Sequence, residues 1–309
     1  VTMIPEPASH DRRTVALPWG DVSYLEWQPG TPPSGSPRPA AGAPTVLLLH
    51  GGGLDSALLS WGGIGGELAA AGHRVIAPDH PGYGASTRAP WRASQDRLLG
   101  YVAALIDALQ LEHYVIGGLS LGGGLAIGHA LGHPQRVAGL MLLGSYGLMR
   151  TIVPGRLAAP VQLLSWLSTR AGLLALGTRA TLRSRALLDA SLRPVVRDPA
   201  QRTPELLDAI LAEGRRGTGI EVFAEWQRAE VGLRTQTTRY SERVGELAMP
   251  VLIVHGQHDS GVPLAAARAA ADTIPDAQLL VVPEAGHWVQ RDRPDVVVPA
   301  MQRYLRRLA

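Results

Sequence analysis

The stretch from Tyr114 to His129, YVIGGLSLGGGLAIGH, constrains the fold more than any other. An apolar run ends in a glycine pair, a serine follows with glycines at one remove on each side, and small apolar residues continue at helical spacing. Such a pattern is a buried strand that turns within a few residues into a helix, with Ser120 at the apex. Gly118 and Gly122 sterically permit so sharp a turn. From Tyr114 to Gln135 there is no Asp, Glu, Lys or Arg. On hydropathy alone the segment resembles a short membrane span, but its glycine pairs, two histidines and Pro134 fit a buried strand and helix better.

The flanking sequence repeats this alternation. Thr14 to Trp19 and Val22 to Trp27 read as two strands joined by a turn at Gly20 and Asp21. Pro29 to Pro44, rich in Pro, Gly, Ser and Ala, reads as an exposed mobile loop. Thr45 to Leu49 is a strand buried on both faces and ends in His50, Gly51, Gly52 and Gly53. A helix over Leu58 to Ala71 stops at Gly72, and the strand Arg74 to Ala77 leads into the turn-rich Asp79 to Ser86. A second helix, about Ser94 to Leu109, places Leu98, Tyr101, Val102, Leu105, Ile106 and Leu109 on one face. After the Tyr114 strand and its helix comes another apolar strand, Val137 to Leu143. Alternation of this kind predicts an α/β protein with a mostly parallel sheet covered on both faces.

After Gly144 the pattern changes to helical periodicity. Thr203 and Pro204 open a helix, Gly214 closes it, and Gly219 precedes the next. Strands return at Pro250 to His255 and Gln278 to Val282. A helical insertion between two parts of one sheet follows from this order.

Three chemically able residues stand where apolar strands end: Ser120, Asp259 in HGQHD, and His287 in EAGHW. In an open parallel sheet such loops gather at the carboxyl ends of the strands, so the three can meet although distant in sequence. A serine hydroxyl needs a base to take its proton as it attacks, an imidazole serves as that base, and a carboxylate on the other nitrogen fixes the tautomer. The backbone N–H groups of Leu121 and Gly52 are candidates to hold an oxyanion. His255, His258 and Asp259 offer an alternative, a metal site; the triad explains more of the sequence, and no metal is expected. His50 is expected to brace the glycine loop, and Asp79 to stabilise its turn.

HGGG at His50 to Gly53, DHPGYGAS at Asp79 to Ser86, GLSLGG at Gly118 to Gly123, HGQHD at His255 to Asp259 and AGHW at Ala285 to Trp288 together resemble the α/β-hydrolase superfamily. The resemblance implies its fold: an eight-stranded-type sheet in two core parts, residues 1–145 and 246–309, with a helical cap at 146–245 over the active site. More narrowly, HGGG and the Trp288 that follows His287 are similar to the carbon–carbon bond hydrolases of ring meta-cleavage products. Leu119 departs from that group, which usually has a polar residue before the nucleophile. The leading expectation is therefore a serine hydrolase of a small apolar ester or lactone, with carbon–carbon hydrolysis, acyl transfer and a triad-retaining receptor as alternatives. Gly53, Leu119, Trp288, Trp166, Phe223 and Trp226 are candidate substrate contacts. One of the cap arginines, Arg179, Arg183, Arg185, Arg215 or Arg216, is a candidate clamp for a substrate carboxylate.

Composition narrows the chemistry further. The 309 residues contain no cysteine and no lysine, which excludes thiolate, disulfide and Schiff-base chemistry. A net charge of +3 without a dense basic block argues against a nucleic-acid partner. The N-terminal VTMIPEPASHDRRTV lacks the apolar core of a signal peptide, so a cytoplasmic protein without a membrane partner or cofactor is expected. The oligomeric state is left open, a homodimer included.

Overall fold

The computed structural model describes residues 10–30 and 43–308. Among the described residues eight strands form one sheet: β1 (Asp11–Leu17), β2 (Gly20–Trp27), β3 (Thr45–Leu49), β4 (Val75–Pro78), β5 (Tyr114–Leu119), β6 (Val137–Leu143), β7 (Val251–Gly256) and β8 (Ala277–Val282). Their spatial order is β1-β2-β4-β3-β5-β6-β7-β8. β1 and β2 pair antiparallel with their neighbours, and every pairing from β4 to β8 is parallel. The strand ends after β5, β6, β7 and β8 thus lie side by side, which is what the expected convergence of Ser120, Asp259 and His287 requires.

The eleven α-helices among the described residues are α1 (Ala57–Ala70), α2 (Gln95–Ala108), α3 (Leu121–Gly132), α4 (Ala158–Arg170), α5 (Leu173–Thr181), α6 (Arg185–Leu192), α7 (Pro204–Arg216), α8 (Thr218–Glu230), α9 (Leu264–Thr273), α10 (Val289–Asp292) and α11 (Pro294–Arg306). Alternate strand residues feed two cores. Leu47, Leu49 and Ile116 pack with α2, α3 and α9, whereas Val46, Leu48 and Val115 pack with α1 and α11. This period of two explains why central strands are apolar without a break: both faces are buried. Helices start where side chains can cap them. The Ser56, Ser94 and Thr203 hydroxyls accept N–H bonds at the first turns of α1, α2 and α7, each contributing about 1 kcal/mol.

Between β6 and β7 lie α4 to α8, and the faces of α6 and α7 carrying Leu188, Leu192, Leu206 and Ile210 join the core under α1 and α11. The apolar stretch after Tyr114 is β5 followed by the 12-residue α3, and no described helix is long and apolar enough to cross a membrane.

Three boundaries differ from the sequence expectation. The first hairpin turns at Pro18 and Trp19, because Leu17 pairs with Gly20 and β2 already begins there; proline presets the backbone angle for that turn. Helix α7 continues through Gly214 and ends at Gly217, whose φ of 77° supplies the left-handed stop. Gly219 consequently lies inside α8, where Tyr83 packs too close to leave room for a side chain. Most of the loop expected at Pro29 to Pro44, residues 31–42, lies outside the described residues.

Candidate active site

Ser120 stands between β5 and α3 with φ 51° and ψ −114°, a left-handed conformation that a non-glycine residue adopts at a cost of about 1–3 kcal/mol. Its surroundings hold it there: Ser120 N–H donates to the Leu143 carbonyl at 2.9 Å, and Tyr146 N–H donates to the Ser120 carbonyl at 2.9 Å. A Cβ on Gly118 would lie 2.2 Å from the Gly122 carbonyl carbon, and one on Gly122 would lie 2.2 Å from the Leu49 oxygen. Only hydrogen at both positions lets strand and helix approach closely enough to make the turn.

After β7, Asp259 accepts N–H bonds from Gly261 at 2.7 Å and Val262 at 2.8 Å, which pin its carboxylate. The same Oδ1 lies 2.8 Å from His287 Nδ1. Burial alone pushes the Asp259 carboxyl up, but the His287 and His255 imidazoles and the hydrogen bonds outweigh it and hold the group below its ordinary value. An ionised Asp259 makes Nδ1 the protonated nitrogen of a neutral His287 and leaves Nε2 as the base. Ser120 and His287 border one cavity. No hydrogen bond joins their side chains among the described residues, and such catalytic contacts tighten when substrate binds.

The loop after β3 forms the facing wall. His50 Nδ1 donates to the Gly51 carbonyl at 2.7 Å, and its Nε2 accepts from His80 N–H at 2.9 Å, so the buried ring is neutral and braces the loop. Neither the Gly52 nor the Leu121 N–H donates to a protein acceptor among the described residues; Leu121 opens α3, where the first N–H groups have no partner within the helix. Asp55, which the sequence expectation passed over, ties this loop down. It accepts from Gly51 N–H, Ser56 N–H and the Ser60 hydroxyl, each at 2.7 Å. Burial raises its carboxyl to about 7 against the pull of those donors and of Arg291. Its position just before the Ser56 cap was the available signal, although an acid there ordinarily means only a helix start.

The cavity encloses about 370 Å³. Ser120, His287, Gly52, Gly53, Leu119, Trp288 and Phe223 line it, together with Leu54, Asp55, Thr178, Thr181, Ser191, Leu192 and Val195. Trp226 lies behind: it stacks on Phe223 at 5.5 Å and donates to Gln95 at 3.1 Å. Trp166 lies under the Arg170 guanidinium and does not border the cavity. Among the described residues, none of the five arginines considered as clamps reaches the lining either. Arg179 pairs with Glu221, Arg185 with Asp208 and Arg216 with Glu213, while Arg183 and Arg215 are exposed. Of the residues weighed as metal ligands, His255 Nε2 lies 3.5 Å from Asp259 Oδ2 but His258 stands apart from both. His255 is buried with Nε2 on the Val262 carbonyl at 3.0 Å, whereas His258 is exposed beside Glu284. Among the described residues no cluster could hold a metal ion. Asp79 serves its turn, accepting from Ala57 and Ala85 N–H and from Arg12.

A serine on a strained turn, an aspartate-bound histidine and a loop with free N–H groups on one cavity agree with the comparisons to known proteins. The chain is 32% identical over 255 residues to the 2-hydroxy-6-oxononadienedioate/2-hydroxy-6-oxononatrienedioate hydrolase of Cupriavidus pinatubonensis, covering 81% of this chain and 82% of that one. It is 30% identical over 261 residues to the 2-hydroxymuconate semialdehyde hydrolase of Pseudomonas putida, covering 84% and 86%. A thermophilic esterase from Thermogutta terrifontis superposes with a TM-score of 0.69 at 25% identity, covering 96% of this chain and 99% of that one. Residues 44–294 match the alpha/beta hydrolase fold family, which takes in the Ser120 turn, both strand-end loops after β7 and β8, and the helices between β6 and β7. By sequence, sheet order and the placing of its strand-end loops, the chain is a member of that hydrolase family.

Proposed function

We propose that the protein is a serine-dependent carbon–carbon bond hydrolase acting on a vinylogous diketone. Ser120 adds to the ketone carbon as His287 Nε2 takes the hydroxyl proton, and Asp259 stabilises the resulting imidazolium. The N–H groups of Gly52 and Leu121 hold the oxyanion. The carbon–carbon bond then breaks, its electron pair passing into the conjugated enone, and the imidazolium returns the proton to the departing fragment. Water, activated by the same imidazole, releases the acyl group from Ser120. The observation that carries this mechanism is the 2.8 Å Asp259–His287 bond at the cavity that Ser120 borders. The bond-cleaving specialisation rests on the two relatives named for such substrates and on Trp288 beside His287 in the cavity wall.

Ester hydrolysis is the second reading, and Leu119 in the cavity wall favours it. An apolar side chain next to the nucleophile suits an alkyl or aryl ester and gives no hydrogen bond to a dienol oxygen.

Purified protein offered a vinylogous diketone and a chain-length series of aryl esters in parallel decides between the two. A kcat/KM for the diketone at least about 100-fold above the best ester is expected, equivalent to about 2.7 kcal/mol of transition-state preference; the reverse ratio selects the esterase. Ser120→Ala should lower kcat by about 10⁶-fold on either substrate. Wild-type turnover by that variant would remove the mechanism altogether.

A further inference from the structure

The two named relatives act, by their names, on a dienedioate or trienedioate and on a muconate semialdehyde. Among the described residues the lining of this chain's cavity contains no Arg, Lys or second His, so His287 is the only basic side chain there and Asp55 the only acidic one. The arginines of α5 to α7 are engaged with Glu221, Asp208 and Glu213 or point into solvent.

The polar groups on the wall formed by α5 and α6 have a common feature. Thr178 donates its hydroxyl proton to the Leu174 carbonyl at 3.0 Å, Thr181 to the Thr178 carbonyl at 2.8 Å, and Ser191 to the Leu188 carbonyl at 2.7 Å. A carbonyl oxygen can only accept, so each hydroxyl proton is already used within its own helix. What remains on each oxygen is lone pairs. Two further donors near the cavity are committed as well: Trp288 Nε1–H donates to Ser60 at 3.2 Å, and Gly51 N–H donates to Asp55. Uncommitted donors therefore lie on the backbone of the loop after β3 and at Leu121, and acceptors at α5 and α6.

We propose that the substrate is uncharged and carries a hydrogen-bond donor, a hydroxyl or N–H, on the end that lies against α5 and α6. A carboxylate there meets the hydroxyl lone pairs and no cation on that wall, so its desolvation is uncompensated. A hydroxyl or primary amide gives each proton to a waiting oxygen. This inference rests on Ser120 being the nucleophile but not on which bond is cleaved.

The test uses fluorophosphonates, which report on Ser120 whichever bond the enzyme breaks. Two series of equal chain length end in a carboxamide or in a carboxylate, two groups of nearly the same shape, and intact-protein mass is followed with time. The carboxamide should inactivate on the order of 100-fold faster than the carboxylate, the upper end of the cost of one unsatisfied buried polar group. Thr178→Val, which keeps the shape and removes the acceptor, should shrink that ratio, and Thr178→Arg should invert it. Equal rates, or a faster carboxylate, overturn the inference while leaving the serine mechanism intact. Absence of labelling by both series overturns the mechanism and the inference with it.

Discussion

Asp259→Asn replaces the charge under His287 with an amide of the same shape. The amide N–H₂ turns the imidazole toward the wrong tautomer, so kcat should fall by about 10⁴-fold while KM changes little; a loss under tenfold would mean that Asp259 does not orient His287. Gly52 poses a different constraint. A Cβ there would lie 2.2 Å from the Phe223 ring, so Gly52→Ala must displace either that ring or the loop. We expect it to reduce kcat by about 100-fold or more, the scale of losing one oxyanion donor. Phe223→Ala in the same chain should restore part of the rate, because it clears the space. If the double variant is no faster than Gly52→Ala alone, the damage lies in the backbone and not in the contact. Ser120 was legible from its flanking glycines. Asp55 and the acceptor wall of Thr178, Thr181 and Ser191 were not, because a capping acid and helix-borne hydroxyls look the same in sequence whether or not a cavity adjoins them.

Among the elements, Asp79 links β1, the start of α1 and the loop after β4. Its buried carboxylate meets Arg12 at 2.7 Å and accepts N–H bonds from Ala57 at 2.9 Å and Ala85 at 3.1 Å. Asp79→Ala should cost about 2 kcal/mol, chiefly because it leaves the buried Ala57 N–H without its acceptor, while Arg12, 39% exposed, and Ala85 keep access to water, and a urea midpoint read at fixed pH checks it. A cost below about 1 kcal/mol would show that water replaces the carboxylate. The same loop anchors the inserted helices, with Thr218 donating to the Gly82 carbonyl and Glu213 accepting from Gly84 N–H at 2.9 Å. Strands were placed from sequence to within about two to three residues because central strands are buried on both faces and show as unbroken apolar runs. Helices α4 and α5 were less legible. Leu164, Leu173 and Leu176 are exposed, so apolar spacing there does not mark the buried side as it does in α2.

At the scale of the molecule, burial has set the protonation of several histidines. It lowers His50 to about 3 and His129 to about 4, and lowers His80 well below its ordinary value, whereas an unfolded histidine titrates near 6.5. Between about pH 4 and 6.5 the unfolded chain therefore binds more protons at these sites, and stability rises with pH. Asp55 acts in the opposite sense, staying protonated in the fold up to about 7 and releasing its proton near 3.8 when unfolded. Three imidazoles against one carboxyl leave a net rise, which urea midpoints across that range should show; Asp55→Asn should steepen it, and a flat profile would mean the rings protonate in place. The sequence by itself determined the alternation of strand and helix, the serine turn and the identities of the acid and base, because these depend on local spacing and on chemistry few residue types can perform. Which residues enclose the cavity, and that none of them is an arginine, was decided only when helices a hundred residues downstream folded over the strand ends. Charge and hydroxyl groups acquire their roles from what lies across the gap, and that is a property of three-dimensional packing.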